Sequence, residues 1–281
     1  MNIEPLLTIR NLKMSPTDII DQLTNENENE LYRSALRIQN DLNIGENVRY
    51  LSGNRKWSTA KTVLDLGCGP GDLVAHLSGC FTDKFYAGVD LNESFITMAK
   101  EQTKTSANCV FYQADLYEFA QGRYDFVILR AVLQHLNDPD RFMKHLPALL
   151  NDRAAVLFLE TTRENFVVAD PPITTFNEFY DRLEAIQKEL IGSRDCIAEL
   201  EGQLGKYDFK LLEMDNPMIP VTNAEDRVKV VQYLILGCAL AKKMMSMPIE
   251  FEDLFADLIH WHEVKDSRLS LKSRRMLVES V

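Results

Sequence analysis

Three glycines at alternate positions, Gly67, Gly69 and Gly71, lie between two carboxylates, Asp65 and Asp72. A backbone bare of side chains lets a ligand lie directly against it. Dinucleotide-binding turns follow G-x-G-x-x-G, but here an aspartate, Asp72, stands where the third glycine would fall. Acids on both sides of the turn repel a pyrophosphate and attract a cation. A nucleoside carrying a cationic amino-acid group suits that setting. Two further acids follow at intervals, Asp90 and Asp115, each at the end of an apolar run. A carboxylate in that position can accept hydrogen bonds from both ribose hydroxyls.

These residues need a frame. Val63, Leu64 and Leu66 form a short apolar strand that breaks at the glycines, and an amphipathic segment over 71–80 follows as a helix. Tyr86–Asp90, Val110–Asp115, Tyr124–Arg130 and Ala155–Glu160 read as four more strands, with further helices over 92–104 and 139–151. Alternating strands and helices predict a parallel, doubly wound α/β sheet whose site lies at the carboxyl ends of the strands. Asp90 and Asp115 could instead be helix caps, although Asn92 is the better cap for the second helix.

The stretch Thr62-Val-Leu-Asp-Leu-Gly-Cys-Gly-Pro-Gly-Asp72 resembles the first motif of the class I S-adenosylmethionine-dependent methyltransferases, and the resemblance covers roughly residues 45 to 162. It implies a seven-stranded, mostly parallel Rossmann-like sheet, with S-adenosyl-L-methionine as donor and S-adenosyl-L-homocysteine as product. It places Asp65, Gly67, Cys68, Gly69 and Gly71 around the donor, with Cys68 filling space. Asp90 falls at the ribose and Asp115, with Leu116, at the adenine; Leu91 also belongs to the donor site. A segment before the first strand packs over the pocket in such enzymes; Tyr32 and Tyr50 are the candidates, and Arg33 could reach the methionine carboxylate. Arg130 could bind the donor, an acidic group on the acceptor, or a neighbouring carboxylate such as Asp125. His135, in the segment Arg130-Ala-Val-Leu-Gln-His-Leu136, is either a proton acceptor or a packing residue. Glu160 is expected on the acceptor side.

The rest of the chain departs from a minimal member of that family. Residues 1–44 read as a helical segment over the cofactor site, with a polar run at Asn25–Glu30 as a loop or flexible joint and a helix over Leu31–Leu42. Residues 45–165, 193–222 and 266–281 read as the donor-binding core. Strand six is expected at Lys206–Glu213, after a helix from about Ser193 to Gly205, and strand seven at Arg275–Val281. Residues 166–192 and 223–265 are then helical insertions forming a cap. Their Met and aromatic content suits an apolar or aromatic small molecule, and equally a dimer interface or a small second core. Met244-Met245-Ser246-Met247 suggests an adaptable wall. His260 and His262 would matter if the second insertion closes as a lid.

The formal net charge of −11 over 281 residues disfavours nucleic acid, which needs a basic track; the basic clusters, Arg49–Lys61 and Lys265–Arg275, are short. Five scattered cysteines have neither disulfide nor metal-ligand spacing, and no metal site is expected. The amino terminus shows no signal pattern and no apolar run reaches membrane-span length, so a cytoplasmic protein with no membrane partner is expected. Taken with the resemblance, this implies methyl transfer to oxygen or nitrogen of a small metabolite in biosynthesis, by direct displacement, with a homodimer through the insertions. The alternatives are a non-catalytic or atypical binder of S-adenosylmethionine or S-adenosylhomocysteine, a nicotinamide-dependent oxidoreductase, and a macromolecule methyltransferase.

Overall fold

The computed structural model describes residues 16–161, 167–190, 196–245 and 251–281. Three helices come first: α1 (Pro16–Asn25), α2 (Glu28–Gly53) and α3 (Arg55–Thr59). Strands and helices then alternate as β1 (Thr62–Leu66), α4 (Asp72–Cys80), β2 (Phe85–Asp90), α5 (Glu93–Gln102), β3 (Cys109–Gln113), β4 (Tyr124–Arg130), α6 (Pro139–His145) and β5 (Leu150–Thr161). The chain continues through β6 (Val167–Asp170), α7 (Thr174–Leu190), α8 (Cys196–Glu201) and β7 (Phe209–Asp215). It ends with β8 (Met218–Pro220), α9 (Ala224–Met245), α10 (Phe251–Glu263) and β9 (Arg268–Ser280). Two compact units result, one of residues 1–43, 164–187 and 218–272, the other of residues 44–163, 188–217 and 273–281.

The second unit is built on a doubly wound sheet. Its strands lie in the order β3-β2-β1-β4-β5-β9-β7. β1 to β5 are parallel, and β9 inserts antiparallel between β5 and β7. Period-two alternation sends Leu64, Leu66, Val127 and Leu129 into one core, which α6 joins through Phe142 and Met143. Val63, Phe126 and Ile128 enter the core on the other face, with Leu73 and Leu77 of α4 and Ile96 of α5. Helices therefore cover both faces, and strand order reverses between β1 and β4. That reversal opens a crevice at the carboxyl ends of the strands.

The first unit has a core of its own. Leu31, Ala35, Ile38 and Leu42 of α2 are buried there, at the spacing that predicted the helix. The polar run Asn25–Glu30 is a tight break between two helices, not a longer loop: α1 ends at Asn25, and the Asn27 side chain accepts from Asn29 N at 2.8 Å to cap α2. The expected 166–192 insertion is not purely helical, since it contains β6, and β8 falls in the stretch 193–222 expected in the donor-binding core. β6 and β8 both pair antiparallel with the first part of β9, so that Leu271 faces Val167 on one side and Ile219 on the other. α9 and α10 complete this unit with Val231, Leu234, Leu258 and Trp261 buried. The expected starts of the Ser193 helix and of the 166–192 insertion, and Ser246–Met247 of the methionine run, lie outside the described residues. Among the described residues no helix is long and apolar enough to cross a membrane.

Candidate active site

β1 ends at Leu66 and the chain turns through three left-handed glycines, with φ of +72° at Gly67, +54° at Gly69 and +84° at Gly71. Side chains strain that conformation, which is why glycine recurs here. Gly67 N and Cys68 N both donate to Val89 O, at 2.8 and 2.9 Å, fastening the turn to β2. Gly69 N donates to Asp90 Oδ2 at 2.8 Å, while Asn92 N donates to Asp90 Oδ1 at 2.9 Å. The Asn92 side chain accepts from Ser94 N and Phe95 N and is the true cap of α5. Asp90 is thereby released from capping and clamps the glycine turn.

Three charges share one face of the sheet. Asp65 of β1 lies level with Gly88 of β2 and Ile128 of β4, so Asp90 and Arg130, each two residues further on, project to the same side. Asp65 is 3% exposed, and its carboxyl is pushed up to about 7, first by burial, with Arg130 opposing and Asp90 adding to the rise. Burial also raises the Asp90 carboxyl, against the pull of its backbone hydrogen bonds. Asp125, weighed as a neighbour of Arg130, stands at the opposite end of β4. There it accepts from Lys61 N, Thr62 N and Asn151 Nδ2. The residue after Arg130, Ala131, has φ of +56° although it carries a Cβ, a strained conformation at the mouth of the crevice.

The remaining predicted residues fall in several places. Leu91 is 69% exposed just beyond Asp90. Asp115 lies two residues past β3, half-buried, its Oδ1 accepting from Tyr117 N at 2.9 Å, and Leu116 packs against the adjoining core. Cys68 is buried against Gly88, where a Cβ would lie 2.9 Å from its Sγ, and its thiol is raised well above the usual range by burial. Tyr50 donates to Glu213 Oε2 at 2.9 Å and lies under the Arg275 guanidinium at 3.6 Å. Tyr32 and Arg33 belong to the first unit, where Arg33 meets Glu30 at 3.7 Å.

His135 is exposed at the end of a short 3-10 turn, Leu133–His135. Glu160 is on the other face of the sheet from Arg130, because Arg130 pairs with Leu159. Buried to 2% exposure, its Oε1 accepts from Val132 N at 2.9 Å and Leu133 N at 2.7 Å. Its visible work is thus to hold the turn that presents His135. Sequence reasoning overlooked Gly88 and Val132. A Cβ on Gly88 would collide with Phe111 at 2.5 Å, and a glycine inside a strand signals such a close approach. Nothing local in the sequence marks Val132 as the neighbour of Gly67. Among the described residues no three His, Cys, Asp or Glu side chains cluster to hold a metal ion.

Fold and site together define a nucleoside-type crevice domain, with acids at the ends of adjacent strands and a bare glycine turn between them. The methyltransferase-domain family model matches residues 36–213, and the chain belongs to that family. A stretch of 109 residues, 38% of this chain, is 29% identical to 35% of the mitochondrial ubiquinone biosynthesis O-methyltransferase of Saccharomyces cerevisiae. Over the same length it is 34% identical to 45% of the ubiquinone biosynthesis O-methyltransferase of Coxiella burnetii. A malonyl-[acyl-carrier protein] O-methyltransferase of Bacillus anthracis is 30% identical over 116 residues, 40% of this chain and 43% of that protein. The matching stretch spans less than half the length of each of these relatives.

Proposed function

We propose that the chain transfers a methyl group from S-adenosyl-L-methionine to oxygen or nitrogen of a small, apolar or aromatic metabolite. The observation that carries this reading is the clamp of Asp90 on the glycine turn with buried Asp65 beside it, within a chain of the methyltransferase-domain family. The acids and apolar groups present fit the donor. A carboxylate offers about four acceptor positions; Asp90 spends some of them on the backbone amides of Gly69, Asn92 and Leu91 and keeps acceptor capacity for a ribose hydroxyl. Buried Asp65 offers a counter-charge to the donor's cationic amino-acid end, and Arg130 offers one to its carboxylate. Leu91 and Leu116 supply apolar surface for the base, and Asp115 an acceptor for its amino group.

When bound, the donor supplies an already activated methyl group that leaves by direct displacement. Alignment and exclusion of water are then the protein's main tasks. Glu160 fixes the turn carrying His135, which takes the acceptor's proton where the acceptor does not ionise by itself. The relatives named above act at oxygen, which favours oxygen here. A homodimer through the first unit is supported by exposed Met218, Val168 and Met244, and a reducing, cytoplasmic setting by five free cysteines.

The test is calorimetric titration with S-adenosylhomocysteine, with NAD⁺ and NADP⁺ in parallel. Micromolar binding of the first alone is expected. Binding of a nicotinamide nucleotide instead would overturn the reading.

A further inference from the structure

A cavity of about 510 Å³ lies wholly within the first unit and has no part in the donor chemistry. The loop after β8, the start of α9, the end of α10 and the start of β9 enclose it. Its polar lining is one-sided. Arg227, His262, Lys265 and Arg268 contribute, with the hydroxyl-bearing Thr222 and Ser270, and none of the described lining residues is acidic. That bias is notable in a chain of net charge −11.

The basic groups divide into a fixed charge and free ones. Arg227 caps the carboxyl end of α10: Nη2 donates to His262 O at 2.8 Å and Trp261 O at 3.1 Å, and Nη1 to Ser267 O at 2.8 Å. Its guanidinium also lies 4.4 Å from the centre of the Trp261 ring. All these partners are neutral, so the positive charge is held rigidly at the wall without being cancelled by them. Lys265 and Arg268 are exposed and have no ion-pair partner among the described residues. The Nδ1 atom of His262 is buried with no hydrogen-bond partner among the described residues. Glu263 and Asp266, next to these residues in sequence, are outside the lining.

We propose that this cavity binds a small organic anion through its phosphate or carboxylate group. Arg227 supplies the standing field, Lys265 and Arg268 the charged contacts, and Thr222 and Ser270 neutral donors. The volume suits a metabolite-sized molecule. Charge-assisted hydrogen bonds from Lys265 and Arg268 carry most of the affinity, because Arg227 has spent donors on the helix end.

The experiment is titration of the full chain with inorganic phosphate and, separately, with succinate, followed by amide chemical shifts. Saturable binding at millimolar concentration is expected from at least one probe, with shifts gathered at Thr222 and Lys265–Ser270. Phosphate alone would assign a phosphoryl ligand, and succinate alone a carboxylate ligand. The double variant Lys265→Ala, Arg268→Ala should weaken binding by about tenfold or more, since losing two charge-assisted contacts is worth at least that. Both positions are exposed, so its melting temperature should match the parent's. Failure of both probes to bind, shifts gathered elsewhere, or an unchanged dissociation constant in the double variant would each overturn the proposal.

Discussion

The Asp90 carboxylate accepts a hydrogen bond from Gly69 N at 2.8 Å, so the acid proposed to read the ribose also fixes the shape of the turn beside it. Substitution should therefore strike two properties at once. Asp90→Ala is expected to weaken S-adenosylhomocysteine binding by about 1–3 kcal/mol and to lower thermal stability as well. Asp90→Asn keeps one acceptor oxygen for Gly69 and should lose affinity with little loss of stability. Calorimetry and thermal melts on the two variants check this separation; equal affinity in all three proteins would leave Asp90 as a clamp alone.

Gly67 lies against Val132, in the loop that follows β4. A Cβ there would fall 2.5 Å from Val132 Cγ2, on a backbone already at φ of +72°. Gly67→Ala is expected to cost about 1–3 kcal/mol of folding stability. Adding Val132→Ala should recover the steric part and leave the conformational part. Denaturant unfolding of the single and double variants measures the recovery.

The pH behaviour of Asp65 has a definite sign. Its carboxyl is raised from 3.8 to about 7 in the native state, chiefly by burial. The unfolded chain then loses its proton at lower pH than the native one. Stability from this group falls as pH rises from about 4 to about 7 and is level above that. Asp65→Asn should flatten this slope, making the variant the more stable protein at pH 8 by about 1–3 kcal/mol, while losing donor affinity. A cationic ligand group arriving beside Asp65 would also expel its proton near neutrality. Binding enthalpies measured in buffers of different ionisation heat should reveal that release.

Glu160 and His135 can be separated by a conservative change. Glu160→Gln keeps an acceptor for Val132 N and Leu133 N and should retain most of the activity, whereas Glu160→Ala should lose about 1–3 kcal/mol of stability. His135→Ala should reduce turnover about 10²-fold at unchanged donor affinity. Single-turnover rates and dissociation constants distinguish these outcomes. A Gln variant as inactive as a catalytic knockout would return Glu160 to the chemistry.

Much of the donor unit was legible because its signals are local. The glycine turn, the period-two strands and the Asn92 cap each depend on residues within one turn or strand of each other. Asp115 was placed at a strand end although β3 stops at Gln113, because Ala114 still packs on the core and donates its N–H to Asp90 O at 3.1 Å. β6 and β8 escaped notice because four and three residues are too few for a period to register. The partner of each is β9, distant in sequence from β6 and β8 alike. The role of Glu160 was illegible for a similar reason: its hydrogen bonds go to backbone amides of a loop that follows another strand.

The insertion of β9 between β5 and β7 bears on how the sheet is completed in time. β1 to β5 arise from one contiguous stretch and can pair as they emerge, whereas Leu157 must wait for Leu277, and Leu211 for Val278. Closing so long an interval is entropically slow, so the last strand to arrive governs the folding rate. Until it arrives, the outer edge of β5 is a row of unsatisfied amides and carbonyls, open to the wrong neighbour.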